Sequence, residues 1–248
     1  MKIALVGKGG VGKSTISALL AYYGASRGSD VIAIDADPDM NLSSCLGTRN
    51  DITPLIEMED LIAERAGGEG LVKLNPKVND IPEKFYEEEN GVKLMVFGTV
   101  WSGGGGCTCP ENAFLRQVLN HLILDRDEII IVDMEAGIEH LGRGTGEGVD
   151  ALLAVVESDR RSIETKLRIE DLASDIGIDS IYTVCNKVRG KEDREFLLDT
   201  LEDEPLGFVP YSEDIRRSSQ NGEGVFLGSG PLKDSIEAIW SGLAQEFM

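Results

Sequence analysis

The chain has 248 residues, 42% of them apolar, which is enough to bury a large core in one α/β domain or two small ones. Its 44 acidic residues against 24 basic ones give a formal net charge of −20. That charge repels phosphate backbones and anionic lipid, so it disfavours nucleic acid or a membrane as the main partner. The start has no cleavable apolar signal, and no apolar run approaches the roughly 20 residues of a membrane span. We therefore expect a cytoplasmic protein whose four cysteines are reduced.

Short apolar runs alternate with segments of helical period along the chain. The runs are rich in β-branched residues, which is typical of parallel strands covered on both faces. The expected strands are 3–6, 31–34, 94–97, 129–132, 152–156, 181–185 and 206–209, and the expected helices are 14–26, 112–124, 162–176 and 233–247. This alternation predicts a single α/β domain, residues 1–248, with a doubly wound, mostly parallel sheet. Residues 50–90 are predicted to form a charged, irregular insertion.

The segment GKGGVGKS between the first strand and the first helix fits the phosphate-binding loop pattern. Its glycines, Gly9, Gly10 and Gly12, let backbone N–H groups converge on phosphate oxygens at a helix N-terminus. Lys13 is expected to contact the β- and γ-phosphates, and the Ser14 hydroxyl to bind Mg²⁺. Val11 and Thr15 complete the predicted nucleotide-binding residues of the loop. The motif predicts a P-loop ATPase that binds ATP or ADP with Mg²⁺.

A second lysine, Lys8, lies inside this loop. The KGGVGK form resembles the deviant Walker A motif of the family that includes nitrogenase iron protein, MinD, ParA and the arsenical pump ATPase. In that family the earlier lysine reaches the nucleotide of the partner subunit. The resemblance therefore implies a catalytic role for Lys8 and an ATP-dependent homodimer. The alternative is an ordinary solvated lysine.

Carboxylates follow two of the expected strands, at the edge where ligands bind in open α/β folds. By resemblance to the first switch of this family, Asp37 is expected to orient the attacking water, with Asp39 close to the metal or the switch. Asp133 follows four apolar residues, as in a Walker B motif, and is expected to bind Mg²⁺ through water. Residues 134–137 are the candidate second switch, where a backbone N–H near Gly137 senses the γ-phosphate.

Three later residues are candidates for contact with the base. Asn186 and Lys187 end a strand, as in the adenine-contacting Asn-Lys element of this family, and Pro210 lies in a segment similar to the loop that lines the base. An amide suits adenine because it both donates and accepts hydrogen bonds. A loop asparagine that caps the next helix is an open alternative. Cys45 and Cys185 are both predicted to be packed in the core.

The loop 101–110 carries Cys107 and Cys109 behind four glycines and ahead of Pro110, which suits the first turn of the next helix. Two cysteines at i and i+2 of an extended chain point to one side, roughly 7 Å apart, and a bend brings both within reach of one ion. A closed soft-metal site takes four ligands, and His121 is separated by about 15 Å of helix rise. A two-fold axis near the loop would supply a second pair. From the residues alone, a structural role, a redox dithiol and a metal site all stay open.

Together with the P-loop, the segments 52–58, 74–78, 107–112 and 133–141 resemble those of the CooC family of ATPases, which assist nickel insertion into anaerobic carbon monoxide dehydrogenase. The resemblance runs from Met1 to about Tyr211. It implies that Cys107 and Cys109 bind nickel, or zinc in its place, at the dimer interface, and that nickel carbon monoxide dehydrogenase is the client. His140 is either a sensor in the second switch or an ordinary histidine. Besides the P-loop, the segments that carry the resemblance are ITPLIEM, LNPKV, CTCPEN and DMEAGIEHL.

Two alternatives remain from the sequence. A positioning ATPase like MinD or ParA would need a basic membrane-binding helix or a basic DNA-binding surface. The tail 234–248 is amphipathic but acidic, so we expect it to pack on the sheet. An ATP-driven reductase like nitrogenase iron protein would take well-separated cysteines from each subunit for an iron–sulfur cluster, whereas Cys107 and Cys109 are adjacent.

Overall fold

The computed structural model describes residues 1–48, 52–67, 72–98, 110–138 and 148–248. Strands and helices alternate through these residues. The strands are β1 (Lys2–Val6), β2 (Val31–Asp35), β3 (Glu87–Glu89), β4 (Val92–Val96), β5 (Ile129–Asp133), β6 (Ala151–Val156), β7 (Ile181–Val188) and β8 (Gly207–Pro210). The helices are α1 (Lys13–Ser26), α2 (Leu42–Leu46), α3 (Glu59–Ala66), α4 (Ile81–Lys84), α5 (Pro110–Leu124), α6 (Arg160–Ile176), α7 (Lys191–Thr200), α8 (Glu213–Asn221) and α9 (Pro231–Phe247), with a 3₁₀ turn at Leu55–Glu57.

The eight strands form one sheet in the order β3-β4-β2-β5-β1-β6-β7-β8. Every neighbouring pair is parallel except β3 and β4. Strand β1 lies between β5 and β6, so the loops that follow these three strands meet at one edge of the sheet. The predicted α/β class and mostly parallel sheet are confirmed.

Helices cover both faces of the sheet, because successive residues of a strand point to opposite sides. In β1, Ile3 and Leu5 pack into the core that contains α1 and α9. Ala4 and Val6 pack into the core on the other face, which contains residues of α3, α4, α5 and α6. Burial on both faces is the reason that the strands read as continuous apolar runs.

The C-terminal helix α9 packs on β8 and on α1, so the expectation that the acidic tail packs on the sheet is confirmed. Trp240 lies against Gly24 so closely that a Cβ on this glycine would stand 2.4 Å from the indole ring. The ring of Tyr23 meets Trp240 edge-on at a centroid distance of 5.8 Å. The apolar face of α9 is therefore used inside the protein. In the described part of the chain, the structure contains no helix with the length and apolar character needed to cross a membrane.

The described residues between 52 and 90 form more regular elements than the sequence predicted. The described part of this segment contains the 3₁₀ turn, α3, α4 and β3, and β3 extends the sheet antiparallel to β4. Leu55, Ile62 and Ile81 are buried in the core beside α5. The elements are short and their outward faces are charged, so the apolar period is hard to recognise in the sequence. The expectation of an irregular insertion is corrected here.

Candidate functional site

The glycine-rich loop connects β1 to α1 at the centre of the sheet. Gly12 immediately precedes α1 and has φ 94°, in the left-handed region that favours glycine. A Cβ at Gly12 would stand 2.4 Å from the amide nitrogen of Asn186, so this position also needs glycine for space. The loop therefore presents the N-terminus of a 14-residue helix to the cavity described below.

Asn186 and Lys187 support the glycine-rich loop from β7. The Asn186 side-chain nitrogen donates to the Val11 carbonyl at 2.8 Å. The Lys187 ammonium donates to the Gly10 carbonyl at 2.5 Å and to Glu157 at 2.7 Å. Lys187 has φ 57°, an uncommon conformation for a residue with a side chain. In this structure both residues fix the loop, and their predicted contact with adenine stays a prediction.

Lys13 and Asp37 form a buried ion pair beside the loop. The Lys13 ammonium lies 3.1 Å from Asp37 Oδ2, and the two side chains are only 7% and 10% exposed. Burial makes such a pair costly unless a ligand or further hydrogen bonds share the charge. Lys13 thus points at the first-switch carboxylate, Asp37.

Asp133 ends β5 next to the start of α1. It is fully buried, and within the described ranges neither of its carboxylate oxygens has a hydrogen-bond partner at ordinary distance and angle. Burial raises its pKa to about 7, although the nearby Ser14 hydroxyl and Lys13 both lower it. An unpaired buried carboxylate beside a hydroxyl is a donor set that suits Mg²⁺, a cation that prefers oxygen ligands. The residues present therefore fit the metal that the P-loop motif implies.

Asp35 is a functional-site residue that the sequence analysis did not single out. It ends β2, it is fully buried, and its carboxylate accepts hydrogen bonds from the backbone N–H groups of Asp37 and Leu42. Burial raises its pKa to about 7, and the backbone hydrogen bonds oppose that shift. The signal was available, since an apolar run that ends in Asp is the same pattern that identified Asp133.

A cavity of about 360 Å³ is lined by residues of the glycine-rich loop and of both candidate switches. Gly9, Lys13 and Ser14 line one side, Asp37 and Asp39 another, and residues of the candidate second switch, Glu135 and Ala136, a third. The structure thus brings most of the predicted phosphate, metal and switch residues to one place. The wall also includes the P-loop residues Gly10, Gly12 and Thr15.

Cys45 packs against the core from a partly buried position and also lines this cavity, so its expected place inside the core is only partly confirmed. It belongs to α2, which follows the first switch and packs against α1, and this placement could not be read from the local sequence. Burial raises the pKa of its thiol to about 11, so the thiol stays protonated at neutral pH. Cys185 is fully buried, as predicted.

Lys8 lies on the outer side of the loop. Its ammonium pairs with Asp159 at 2.7 Å, and both side chains are about two-fifths exposed. Asp159 caps the N-terminus of α6 by accepting from Arg161 N. Asp159 and Glu157, the acidic partners of Lys8 and Lys187, were not singled out in the sequence, although both follow the apolar strand β6.

Pro210 lies apart from the phosphate cavity. It lines a second cavity of about 380 Å³, together with Tyr211 and Phe226. Phe226 is 80% exposed. The predicted contact of Pro210 with the base stays a prediction.

The cysteine pair lies outside the described residues. The described residues do not include 101–109, the part of the loop that contains Cys107 and Cys109. They do not include His140 either. His121 is buried on α5, where its Nδ1 lies 2.9 Å from Asp125 Oδ2. Within the described ranges, no group of three or more His, Cys, Asp or Glu side chains could hold a metal ion.

Comparison with known proteins identifies close relatives of the whole chain. The family model "CobQ/CobB/MinD/ParA nucleotide binding domain" matches residues 3–225. The carbon monoxide dehydrogenase accessory protein CooC of Rhodospirillum rubrum is 42% identical over 99% of this chain and 97% of its own length. An uncharacterised ATP-binding protein of Methanocaldococcus jannaschii, MJ0823, is also 42% identical, over 97% of this chain and 96% of its own.

Solved structures agree on the fold. A chain of the MinC:MinD cell division protein complex of Aquifex aeolicus superimposes with a TM-score of 0.73 at 21% identity, covering 100% of this chain and 97% of that chain. Pyrococcus horikoshii MinD complexed with Mg-ADP gives a TM-score of 0.68 at 17% identity, covering 98% and 95%. At these identities the similarity shows the architecture alone.

Proposed function

This chain belongs to the CobQ/CobB/MinD/ParA nucleotide-binding family and is an ATPase, and we propose that it uses ATP hydrolysis to supply nickel to carbon monoxide dehydrogenase. The observation that carries the proposal is the full-length similarity to the carbon monoxide dehydrogenase accessory protein of Rhodospirillum rubrum. The pair Cys107 and Cys109 supports it, because thiolates are suitable ligands for nickel or zinc.

The first step is binding of the triphosphate at the glycine-rich loop. The N-terminus of α1 offers free N–H groups and partial positive charge to the phosphates. Lys13 exchanges its contact with Asp37 for the β- and γ-phosphates, since the two phosphate groups together carry more negative charge than one carboxylate. Asp37 is then free to orient the attacking water.

Mg²⁺ would be held by the Ser14 hydroxyl and, through water, by the Asp133 carboxylate. The ion neutralises charge that develops on the β- and γ-phosphate oxygens. With Mg²⁺ and its water bound, the unpaired oxygens of Asp133 would gain a partner, which would offset the free-energy cost of burying the carboxylate charge.

Lys8 links the nucleotide to a second subunit. In the single chain it pairs with Asp159, and both side chains are accessible, so the pair costs little to separate. In the ATP-bound homodimer Lys8 contacts the nucleotide of the partner subunit. Hydrolysis removes the γ-phosphate, releases both switches and opens the dimer.

Dimer formation would place two copies of the loop 101–110 beside the two-fold axis. Two cysteines from each subunit then make the four thiolates of a closed site for nickel or zinc. Opening of the dimer changes this site and passes the metal to the client enzyme.

The experiment is metal analysis of the purified homodimer with Cys107→Ser and Cys109→Ser combined. The double variant is expected to lose bound nickel and zinc while it still hydrolyses ATP, because neither cysteine belongs to the P-loop or to the predicted Mg²⁺ and switch residues. Cys185→Ala, which removes a thiol buried in β7, is the matched control and should retain the metal. Stoichiometric metal in the double variant would overturn the metal-handling proposal and leave the ATPase assignment intact.

A further inference from the structure

We infer that Asp35 is a positioning residue for ATP hydrolysis: one buried carboxylate fixes both ends of the loop that carries Asp37. The inference rests on the proposed role of Asp37 in orienting the attacking water. The family resemblance pointed to Asp37 and Asp39, and it assigned no task to Asp35.

The two oxygens of Asp35 bind two separate points of the chain. Oδ1 accepts from the backbone N–H of Asp37 at 3.2 Å, and Oδ2 accepts from the backbone N–H of Leu42 at 2.9 Å. Leu42 is the first residue of α2. The Asp35 side chain therefore holds together the two ends of the loop formed by residues 37–42.

Apart from the ion pair between Lys13 and Asp37, the described residues give this loop little other support. Residues 38–41 are exposed, so packing contributes little to their position. Asp37 Oδ1 accepts from Asp39 N at 3.0 Å, and the Asp37 carbonyl accepts from Met40 N at 3.0 Å. Met40 has φ 46°, which is strained for a residue with a side chain. A strained, exposed turn keeps one shape only if its ends are held.

The base of the loop is rigid. Asp35 is fully buried and ends a central strand, and its carbonyl accepts from Phe97 N at 2.8 Å. The neighbouring residue Ala36 donates to the Asp133 carbonyl at 2.9 Å. Because the sheet holds Asp35 in place, the hydrogen bond from Asp37 N to the Asp35 carboxylate fixes the position of Asp37. The Oδ2 atom of Asp37 faces Lys13. Displacement of such a group by about 1 Å can cost on the order of 100-fold in rate.

The test is Asp35→Asn in the full-length protein, with phosphate release measured at saturating Mg·ATP. The amide has the size of the carboxylate, but its NH₂ group faces one of the two backbone donors, so one end of the loop is released. We expect kcat to fall about 10- to 100-fold. Affinity for a fluorescent ADP analogue should stay within about threefold of the wild type, because the glycine-rich loop is untouched.

A double-mutant comparison separates positioning from a general structural effect. If Asp35 acts through Asp37, Asp35→Asn added to Asp37→Asn lowers kcat by less than about threefold. The inference would be overturned if Asp35→Asn lowered kcat by the same factor in the wild-type and Asp37→Asn proteins. It would also be overturned if the affinity for ADP fell in parallel with kcat. Asp150→Asn is the matched control: Asp150 also accepts a backbone N–H, from Lys2 at 2.7 Å, and its loss should leave kcat unchanged.

The two levels of the proposal fail differently. Wild-type turnover in Asp37→Asn would refute the role of Asp37, and this inference with it. An impaired Asp37→Asn beside an unaffected Asp35→Asn would refute this inference alone. If Asp35→Asn does not fold, Asp35→Ser, which leaves space for a water molecule, is compared in both backgrounds under the same criteria.

Discussion

The ends of β2 and β5 use the same residue in opposite ways. Asp35 and Asp133 are register partners on adjacent parallel strands, both are fully buried, and burial raises the pKa of each to about 7. The carboxylate of Asp35 is satisfied by two N–H groups of its own loop. Among the described residues, the carboxylate of Asp133 has no hydrogen-bond partner of ordinary geometry, although the Ser14 hydroxyl lies close enough to lower its pKa.

This difference separates a residue that organises the site from one that awaits a ligand. A buried charge is tolerated when hydrogen bonds surround it, and it is costly when they do not. The cost at Asp133 is repaid when a cation binds, so it adds to the dependence of the site on Mg²⁺. Variants at the two positions should therefore behave differently, and three measurements test this comparison.

The largest expected effect is on hydrolysis. Asp133→Asn should lower kcat on the order of 100- to 1,000-fold, because the site loses a charged group that supports the metal at the developing phosphate charge. The Mg²⁺ concentration that gives the half-maximal rate should be higher for Asp133→Asn than for the wild type. Phosphate release across a Mg²⁺ titration measures both quantities. A turnover within about twofold of the wild type would contradict the assignment of Asp133.

The second effect is on stability without nucleotide. Asp133→Asn removes an unpaired buried charge, whereas Asp35→Asn leaves a buried N–H donor facing an amide NH₂ group. Asp133→Asn should therefore be the more stable variant, by about 1–3 kcal/mol in the free energy of unfolding. Urea unfolding at pH 8 in the presence of a chelator measures the difference. The comparison fails if the two variants unfold together or in the reverse order.

The smallest effect is the slope of stability with pH. Both carboxylates have a pKa near 7 in the folded protein and about 4 in the unfolded chain, so between these values the folded state holds protons that the unfolded state has released. Their contribution to stability is complete below about pH 4 and is lost as the pH rises through about 7.

The nucleotide-free protein should therefore become less stable from pH 5 to pH 8, and Asp133→Asn should reduce that slope by up to about 1.4 kcal/mol per pH unit. Unfolding curves at several pH values, with Asp150→Asn as the control, give the slope. A slope that is the same in Asp133→Asn and the wild type would show that Asp133 does not titrate in this range.

Much of the fold could be predicted from the sequence, because the physics that identifies it is local. Strands β1, β2 and β5 are continuous apolar runs, and such runs indicate a sheet covered on both faces. The short elements around Leu55 and Ile81 could not be predicted in this way. Their burial depends on α5, which is distant in the sequence.

The site divides in the same manner. Lys13 and Ser14 were predictable, because a glycine-rich turn at a helix N-terminus has one physical use. Other contacts join residues from different loops. Lys13 pairs with Asp37, Lys8 pairs with Asp159, and Cys45 lines the phosphate cavity. No local pattern contains these contacts, since they arise only when the parallel strands bring their carboxyl ends together.

The sequence alone determined the family of folds, the phosphate-binding loop and the expectation of Mg²⁺ at Asp133, because spacing and residue type along one strand–loop–helix unit suffice for each. The tertiary structure decided which buried carboxylate is satisfied and which is left free. That distinction depends on whether neighbouring N–H groups lie within hydrogen-bond distance, and distances across a sheet edge are set by packing and not by the order of residues.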